Sequence, residues 1–171
     1  MEWSKNFTKE EYERSETAIK NGITNILELG TEQYGNFFLL NERLMQPLRE
    51  YINKPIYINS GYRCPELNKL VGGSDKSQHL GLNGGACDIV VNGWDNERLA
   101  RAIIDSGLNY DQLINEKGVY SDWIHISYNH MKNRKQILKA EEKLEKLPDG
   151  TIKKIFSYKK WEVSERFGYY Q

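Results

Sequence analysis

The sequence lacks a charge excess of either sign, with 24 Lys and Arg against 24 Asp and Glu among 171 residues. Domains that bind nucleic acid commonly carry a basic face. The basic runs here, at 153–154 and 159–160, are short and interleaved with apolar residues. We therefore expect no nucleic-acid partner.

Long apolar runs are also missing. No stretch approaches the roughly 20 apolar residues that a membrane-spanning helix needs, so no membrane span is expected. The N-terminal segment MEWSKNFTKEEYERSE is polar and acidic, which is not typical of a secretory signal. These features predict a protein that is cytoplasmic when synthesised.

Cysteine is scarce, with only Cys64 and Cys87 in the chain. Two cysteines are too few for a disulfide framework and too isolated for a structural zinc knuckle. We expect two small buried side chains. A disulfide between them is the open alternative.

The first third of the chain has helical patterns. A capping box of Thr8 and Glu11 predicts a first helix that ends by Gly22. A second helix is predicted over residues 37–52 from its apolar spacing, with a bend at Pro47.

The pattern then changes to short β-rich runs, at residues 56–58, 86–91, 112–114 and 123–128. Between the second and third runs, Asp95 caps a predicted helix that extends to Ser106, with Leu99, Ala102 and Ile103 facing inward. The order predicts an α+β fold, in which N-terminal helices precede a small, mostly antiparallel sheet.

We expect one principal domain over residues 1–138, with a helical part at 1–54 and a sheet at 55–138. Residues 139–171 are charged and rich in aromatics, and they are predicted to form an extension packed on the same domain. Asp149-Gly150 indicates a hairpin turn there, which would add an edge strand or a flap beside the substrate.

Histidine is also rare, and any site that uses it must draw on His79, His125 and His130. His79 lies in the glycine-rich segment SQHLGLNGGACD, which ends at Asp88 as a strand begins, and His125 lies in a predicted strand. Two imidazoles and one carboxylate would leave a fourth position open on a catalytic zinc ion. On spacing alone, both histidines could instead be hydrogen-bonded structural groups. His130 would face away from His125 on a regular strand, so we leave it outside the site.

Three segments decide between these alternatives: INSGYRCPELNKLVGGSDKSQHLGLNGGACDI, DQLINE and SDWIHISYN. Together they resemble the zinc D-Ala-D-Ala carboxypeptidase and murein endopeptidase family. That family includes phage endolysins and shares its metal fold with hedgehog signalling domains. The resemblance extends from about Phe7 to Leu138 and implies one Zn²⁺ ion, bound by His79, Asp88 and His125.

The resemblance also implies a general base, which accepts a proton from the attacking water and passes it to the leaving amine. The matching residue is Asp122, three positions before His125. Because residues three apart face opposite sides of an ideal strand, this role requires a bend before Trp123. Glu116, at the end of DQLINE, is the alternative base or a structural residue.

Two further residues follow from the resemblance. Arg63 would bind a substrate carbonyl or carboxylate and help to stabilise the oxyanion, with a structural salt bridge as the alternative. Ser77 would hydrogen-bond the substrate or fix its loop. Asp88 follows His79 by nine residues, two more than is usual in the family, so we expect the rim of the site to differ.

These features predict a monomeric zinc metallopeptidase that hydrolyses bacterial peptidoglycan stem or cross-link peptides. It would be a D-Ala-D-Ala carboxypeptidase or endopeptidase of the phage lysin type, acting at the wall after release or as part of a phage particle. The alternative is a non-catalytic, zinc-containing wall-binding or virion structural module with the same fold.

Overall fold

The computed structural model describes residues 3–163, in which the helices come mostly before the strands. The helices are α1 Lys9–Glu13, α2 Glu16–Lys20, α3 Glu32–Leu40, α4 Gln46–Ile52, α5 Pro65–Leu70 and α6 Asn96–Asp105. The strands are β1 Tyr57–Ser60, β2 Gly85–Val90, β3 Gln112–Lys117, β4 Asp122–Tyr128, β5 Gln136–Lys146 and β6 Ile152–Lys160. The predicted α+β fold is confirmed.

The first helix begins as predicted, because the Thr8 backbone N–H donates to the Glu11 carboxylate at 2.8 Å. It does not continue to Gly22, however. Arg14 has an extended backbone, and the Ser15 hydroxyl accepts from the Ala18 N–H, which starts α2. The single predicted helix is therefore wrong, because Ser15 satisfies the backbone donors of a new helix start.

The second predicted helix starts earlier than expected, at Glu32, with the Thr31 hydroxyl as its N-terminal cap. A π-helical segment over Asn41–Met45 joins α3 to α4, and Pro47 lies in the first turn of α4. Proline has no N–H to donate to the preceding turn. A π turn directly before proline leaves the predicted second helix in two α-helical parts, and the bend at Pro47 stays a prediction.

The sheet has the strand order β1-β2-β4-β3-β5-β6. Neighbouring strands are antiparallel except for β3 and β5, which are parallel. The hairpin turn predicted at Asp149-Gly150 joins β5 to β6, with Gly150 at φ +86°. Because β5 begins before residue 138 and pairs with β3, the same sheet continues into the segment predicted as an extension. The domain boundary itself stays a prediction, and residues 164–171 lie outside the described residues.

The sheet presents two chemically different faces. One face is apolar and packs under the helices, with Cys87, Ile89, Leu113, Ile124 and Ile126 fully buried. From α6, Leu99 and Ile103 join this core as predicted, whereas Ala100 is the fully buried alanine and Ala102 is only partly buried. Strand alternation places Asp88 of β2, Glu116 of β3 and His125 of β4 on the other face. None of the helices within residues 3–163 is long and apolar enough to cross a membrane.

Candidate metal centre

Three side chains predicted from the sequence converge on the polar face. Asp88 and His125 are direct cross-strand partners in β2 and β4, and His79 comes from a 3₁₀ turn over Gln78–Leu80. Asp88 Oδ1 lies 3.1 Å from His125 Nδ1 and 3.2 Å from His79 Nε2. The two ring nitrogens are 3.2 Å apart. All three residues are buried, and they form a group that could hold a metal ion.

The spacing of these donor atoms fits zinc. Ligand atoms bound at 2.0–2.2 Å to a tetrahedral ion lie about 3.4 Å from one another. The three observed separations, at 3.1–3.2 Å, are close to that value. Two imidazoles and a carboxylate are also a donor set typical of a catalytic zinc ion with one open position.

The orientation of His79 is set by the backbone. Its Nδ1 lies 2.6 Å from the Gly61 carbonyl oxygen, which can only accept a hydrogen bond. Nδ1 therefore carries the hydrogen, and the lone pair of Nε2 faces Asp88 and His125. Burial, and then the charge of Arg63, lower the pKa of His79 to about 4, so the ring is neutral near pH 7.

The second oxygen of Asp88 is held by Arg63. Arg63 Nη2 donates to Asp88 Oδ2 at 2.9 Å, and Arg63 Nε donates to the Ser60 hydroxyl at 3.0 Å. Burial alone would raise the pKa of Asp88, but His79, His125 and Arg63 hold it well below its usual range. The carboxylate is therefore ionised and oriented with one oxygen toward the imidazoles. Of the two alternatives for Arg63, the structure shows the salt bridge, although the side chain also lines the cleft.

Ser77 and the glycine-rich loop shape one rim of the site. The Ser77 hydroxyl accepts from the His79 backbone N–H at 3.3 Å, which supports the loop-fixing alternative. The longer loop packs down onto the fold, because the Gly81 carbonyl accepts from Asn36 Nδ2 at 2.7 Å. Gly84 has φ +90°, and an added Cβ would lie 2.3 Å from the Tyr128 carbonyl oxygen, so this turn requires glycine.

The structure separates the two candidates for the general base. Asp122 pairs regularly with Lys117 at the start of β4, and its side chain is exposed. The bend that its role required is absent, so Asp122 lies on the strand face opposite His125. Glu116 pairs with Trp123 and therefore shares the face of His125. The geometry does not support Asp122 as the base and favours Glu116.

Glu116 is also chemically suited to proton transfer. It is only 8% exposed and lines the cleft beside the three-residue cluster. Burial, and then the neighbouring Asp88 carboxylate, raise the pKa of Glu116 to about 7. A carboxylate with that pKa can accept a proton and return it near neutral pH.

A cleft of about 1290 Å³ opens in front of the cluster. Phe156 and Tyr158 of β6 line its far wall, together with Leu138 and Glu142 of β5. The sequence pointed to this wall only through the aromatic composition of the C-terminal segment. It did not single out either aromatic residue, because the pairing of β5 with β3 could not be anticipated.

The remaining candidates lie elsewhere. Both cysteines are free thiols; Cys87 is buried against Met45, with 3.5 Å between the sulfurs, and Cys64 is half-buried. The expectation of full burial is therefore correct for Cys87 alone. His130 is exposed and lies outside the cluster, as predicted.

Comparison with curated proteins found no match for the chain. A family model described as Peptidase M15 matches residues 5–127. This stretch contains the three clustered residues, Arg63 and Glu116. Because the match covers more than half of the chain, the protein belongs to the peptidase M15 family, the zinc D-Ala-D-Ala carboxypeptidase family that its motifs resemble.

Proposed function

We propose that the protein is a zinc metallopeptidase that hydrolyses peptide bonds in bacterial peptidoglycan stem or cross-link peptides. The observation that carries this proposal is the buried triangle of His79, Asp88 and His125, which opens into a cleft beside the Glu116 carboxylate. Membership of the peptidase M15 family supports peptide hydrolysis by a metal-dependent route.

His79, Asp88 and His125 would bind the ion, because their donor atoms have the spacing and chemistry that zinc prefers. When bound, Zn²⁺ lowers the pKa of a coordinated water and polarises a carbonyl group. Arg63 keeps Asp88 ionised and oriented through its contact with Oδ2. The Gly61 carbonyl keeps the hydrogen of His79 on Nδ1 and so leaves the lone pair of Nε2 for the ion.

Glu116 acts as the proton carrier in this proposal. Its carboxylate removes a proton from the attacking water and then delivers that proton to the nitrogen of the leaving amine. Both transfers take place on the cleft face of β3, and burial of Glu116 keeps bulk water from competing for the proton. The exposed Asp122 has no part in either transfer.

Basic side chains line part of the cleft, where Lys76, Lys132 and Arg134 occur together with acidic residues such as Glu16 and Glu142. Arg134 is held by the buried Asp111, with its Nε donating to Oδ1 at 2.8 Å, and this carboxylate offsets its charge. Stem peptides carry free carboxylates, which such basic groups attract. This supports a wall peptide as substrate, and we propose that the protein meets it at the bacterial cell wall, as phage-type lysins do.

The test uses purified bacterial walls incubated with the protein, with a chelator, and with chelator followed by zinc. We expect a fall in turbidity that the chelator abolishes and zinc restores, and the masses of the released fragments would identify the bond. Zinc bound at one ion per chain without release of any fragment would favour the non-catalytic module instead.

A further inference from the structure

The β5–β6 hairpin forms a wall of the cleft that the family match does not include. The match ends at residue 127, whereas the hairpin extends from Gln136 to Lys160. Because β5 pairs with β3, the strand that carries Glu116, the hairpin continues the sheet directly beside the proposed proton carrier. A substrate that contacts Glu116 therefore has this wall close by.

Three residues of adjacent strands form one row across this part of the sheet. Glu116 of β3 is opposite Ala140 of β5, and Ala140 is opposite Tyr158 of β6. Residues in register on neighbouring strands point to the same face, so all three side chains face the cleft side. Phe156, two residues before Tyr158, lines the same wall.

The small size of Ala140 matters here. Neighbouring strands lie about 4.8 Å apart, so the backbones at Glu116 and Tyr158 are separated by about 10 Å. Ala140 is fully buried and projects only a methyl group between them. The long side chain of Tyr158 can extend across that methyl group toward the site.

The charges of the site act on Tyr158. Partial burial, and then the charges of Glu116 and Asp88, raise the pKa of Tyr158 to about 12. The phenol therefore keeps its proton at neutral pH and can donate a hydrogen bond. Arg63, predicted to bind a substrate carbonyl or carboxylate and to help stabilise the oxyanion, uses its Nε and Nη2 to contact Ser60 and Asp88.

On the basis of the proposed peptidase activity, we infer that Tyr158 contacts the substrate and that its hydroxyl donates a hydrogen bond to the peptide oxygen that gains negative charge during hydrolysis. In the cleft, that oxygen would lie between the metal cluster and the hairpin wall. Glu116 is committed elsewhere in the proposed mechanism, because it delivers the proton that it has accepted to the nitrogen of the leaving amine. Tyr158 supplies a neutral donor on the same row of the sheet.

The experiment compares Tyr158→Phe with wild-type protein on the wall peptide that the wild type cleaves. Removing one donor to a charged oxygen should lower kcat/KM about 10- to 100-fold, mainly through kcat. Bound zinc and the melting temperature should not change, because the ring remains and Tyr158 is 55% exposed. Tyr51→Phe is the matched control, since Tyr51 is also 55% exposed but lies on α4 away from the cleft.

Wild-type kcat/KM in the Tyr158→Phe variant would overturn this inference, as would an equal loss in the Tyr51→Phe control. An increase in KM with unchanged kcat would overturn the assignment to the charged oxygen. Absence of metal-dependent cleavage by the wild type would count against the proposed function itself, so the two failures are distinguishable.

Discussion

At the scale of single residues, the chemistry depends on which face of the sheet a carboxylate occupies. Glu116, near the end of β3, and Asp122, at the start of β4, lie on either side of the turn that joins these strands. Glu116 faces the cluster, whereas Asp122 is exposed on the opposite face of the sheet. We expect Glu116→Gln to lower kcat by about 10²- to 10⁴-fold, because glutamine cannot accept the proton. Peptide release from walls, measured by mass spectrometry at matched zinc occupancy, is the readout.

Asp122→Asn provides the control for that experiment. It makes the same chemical change on the opposite face, and we expect activity within about twofold of wild type, as is usual for exposed positions. If Asp122→Asn abolished cleavage while Glu116→Gln did not, the roles of the two carboxylates proposed above would be reversed.

The raised pKa of Glu116 predicts how activity depends on pH. Glu116 must be ionised to accept a proton, and its pKa is raised to about 7. Activity should therefore fall as the pH drops below that value, by about tenfold per pH unit. A bound zinc ion favours the ionised form and shifts the fall to lower pH. A pH profile of kcat/KM measures the effect, and a profile that stays flat at every pH where zinc remains bound would exclude Glu116 as the titrating base.

The contacts of Arg63 predict that its substitution changes the affinity for zinc as well as the catalytic rate. Its guanidinium contacts Asp88 and Ser60 at once, a fork that lysine cannot reproduce. We expect Arg63→Lys to weaken zinc binding by about 10- to 100-fold, since Asp88 loses the partner of its second oxygen. Competition with a chelator of known affinity gives the constant. An unchanged constant would mean that Arg63 does not orient Asp88.

At the scale of elements, the site depends on the junction between α1 and β1. Gly61 follows β1 and presents its carbonyl to His79, while an added Cβ would lie 2.5 Å from the Tyr12 carbonyl oxygen. Gly61→Ala must push the two backbones apart, so we expect a loss of about 1–3 kcal/mol in stability together with weaker zinc binding. Thermal unfolding with and without zinc measures both effects.

Gly35 offers the matched comparison, because it lies within α3 and an added Cβ there would meet nothing within 4 Å. Gly35→Ala should stabilise the protein by about 0.5–1 kcal/mol through helix propensity, with no change in zinc binding. Equal effects of the two substitutions would show that the contact at Gly61 has no special role.

The sequence predicted local features well and strand neighbours poorly. His79, Asp88 and His125 were identifiable because each lies in a short motif with a recognisable pattern. The break after Arg14 was missed because Ser15 can act within a helix or as a cap, and only tertiary packing decides between them. Asp122 was predicted as the base from a resemblance, with Glu116 as the alternative, whereas strand alternation puts Asp122 and His125 on opposite faces. The position of Tyr158 in the cleft wall depends on the parallel pairing of β3 with β5, which no local sequence pattern predicts.

At the scale of the whole molecule, one sheet separates a packed interior from a reactive surface. The helices bury its apolar face, which supports the strands from behind. The opposite face can then carry a buried carboxylate and two imidazoles at fixed positions. Burying several polar groups together costs free energy of folding. The apolar packing between the helices and the opposite face of the sheet offsets that cost.

The metal should then contribute to the stability of the whole fold. Its proposed ligands come from a 3₁₀ turn, β2 and β4, so a bound ion links segments that are distant in sequence. Zinc at a thousandfold excess over its dissociation constant stabilises the folded state by about 4 kcal/mol. For a protein of this size, that is a rise of roughly 8–16 °C in melting temperature. A chelator should reverse the rise, and His125→Ala should abolish it, whereas the exposed His130→Ala should keep it. A zinc-dependent rise that survived in His125→Ala would place the metal outside the cluster described here.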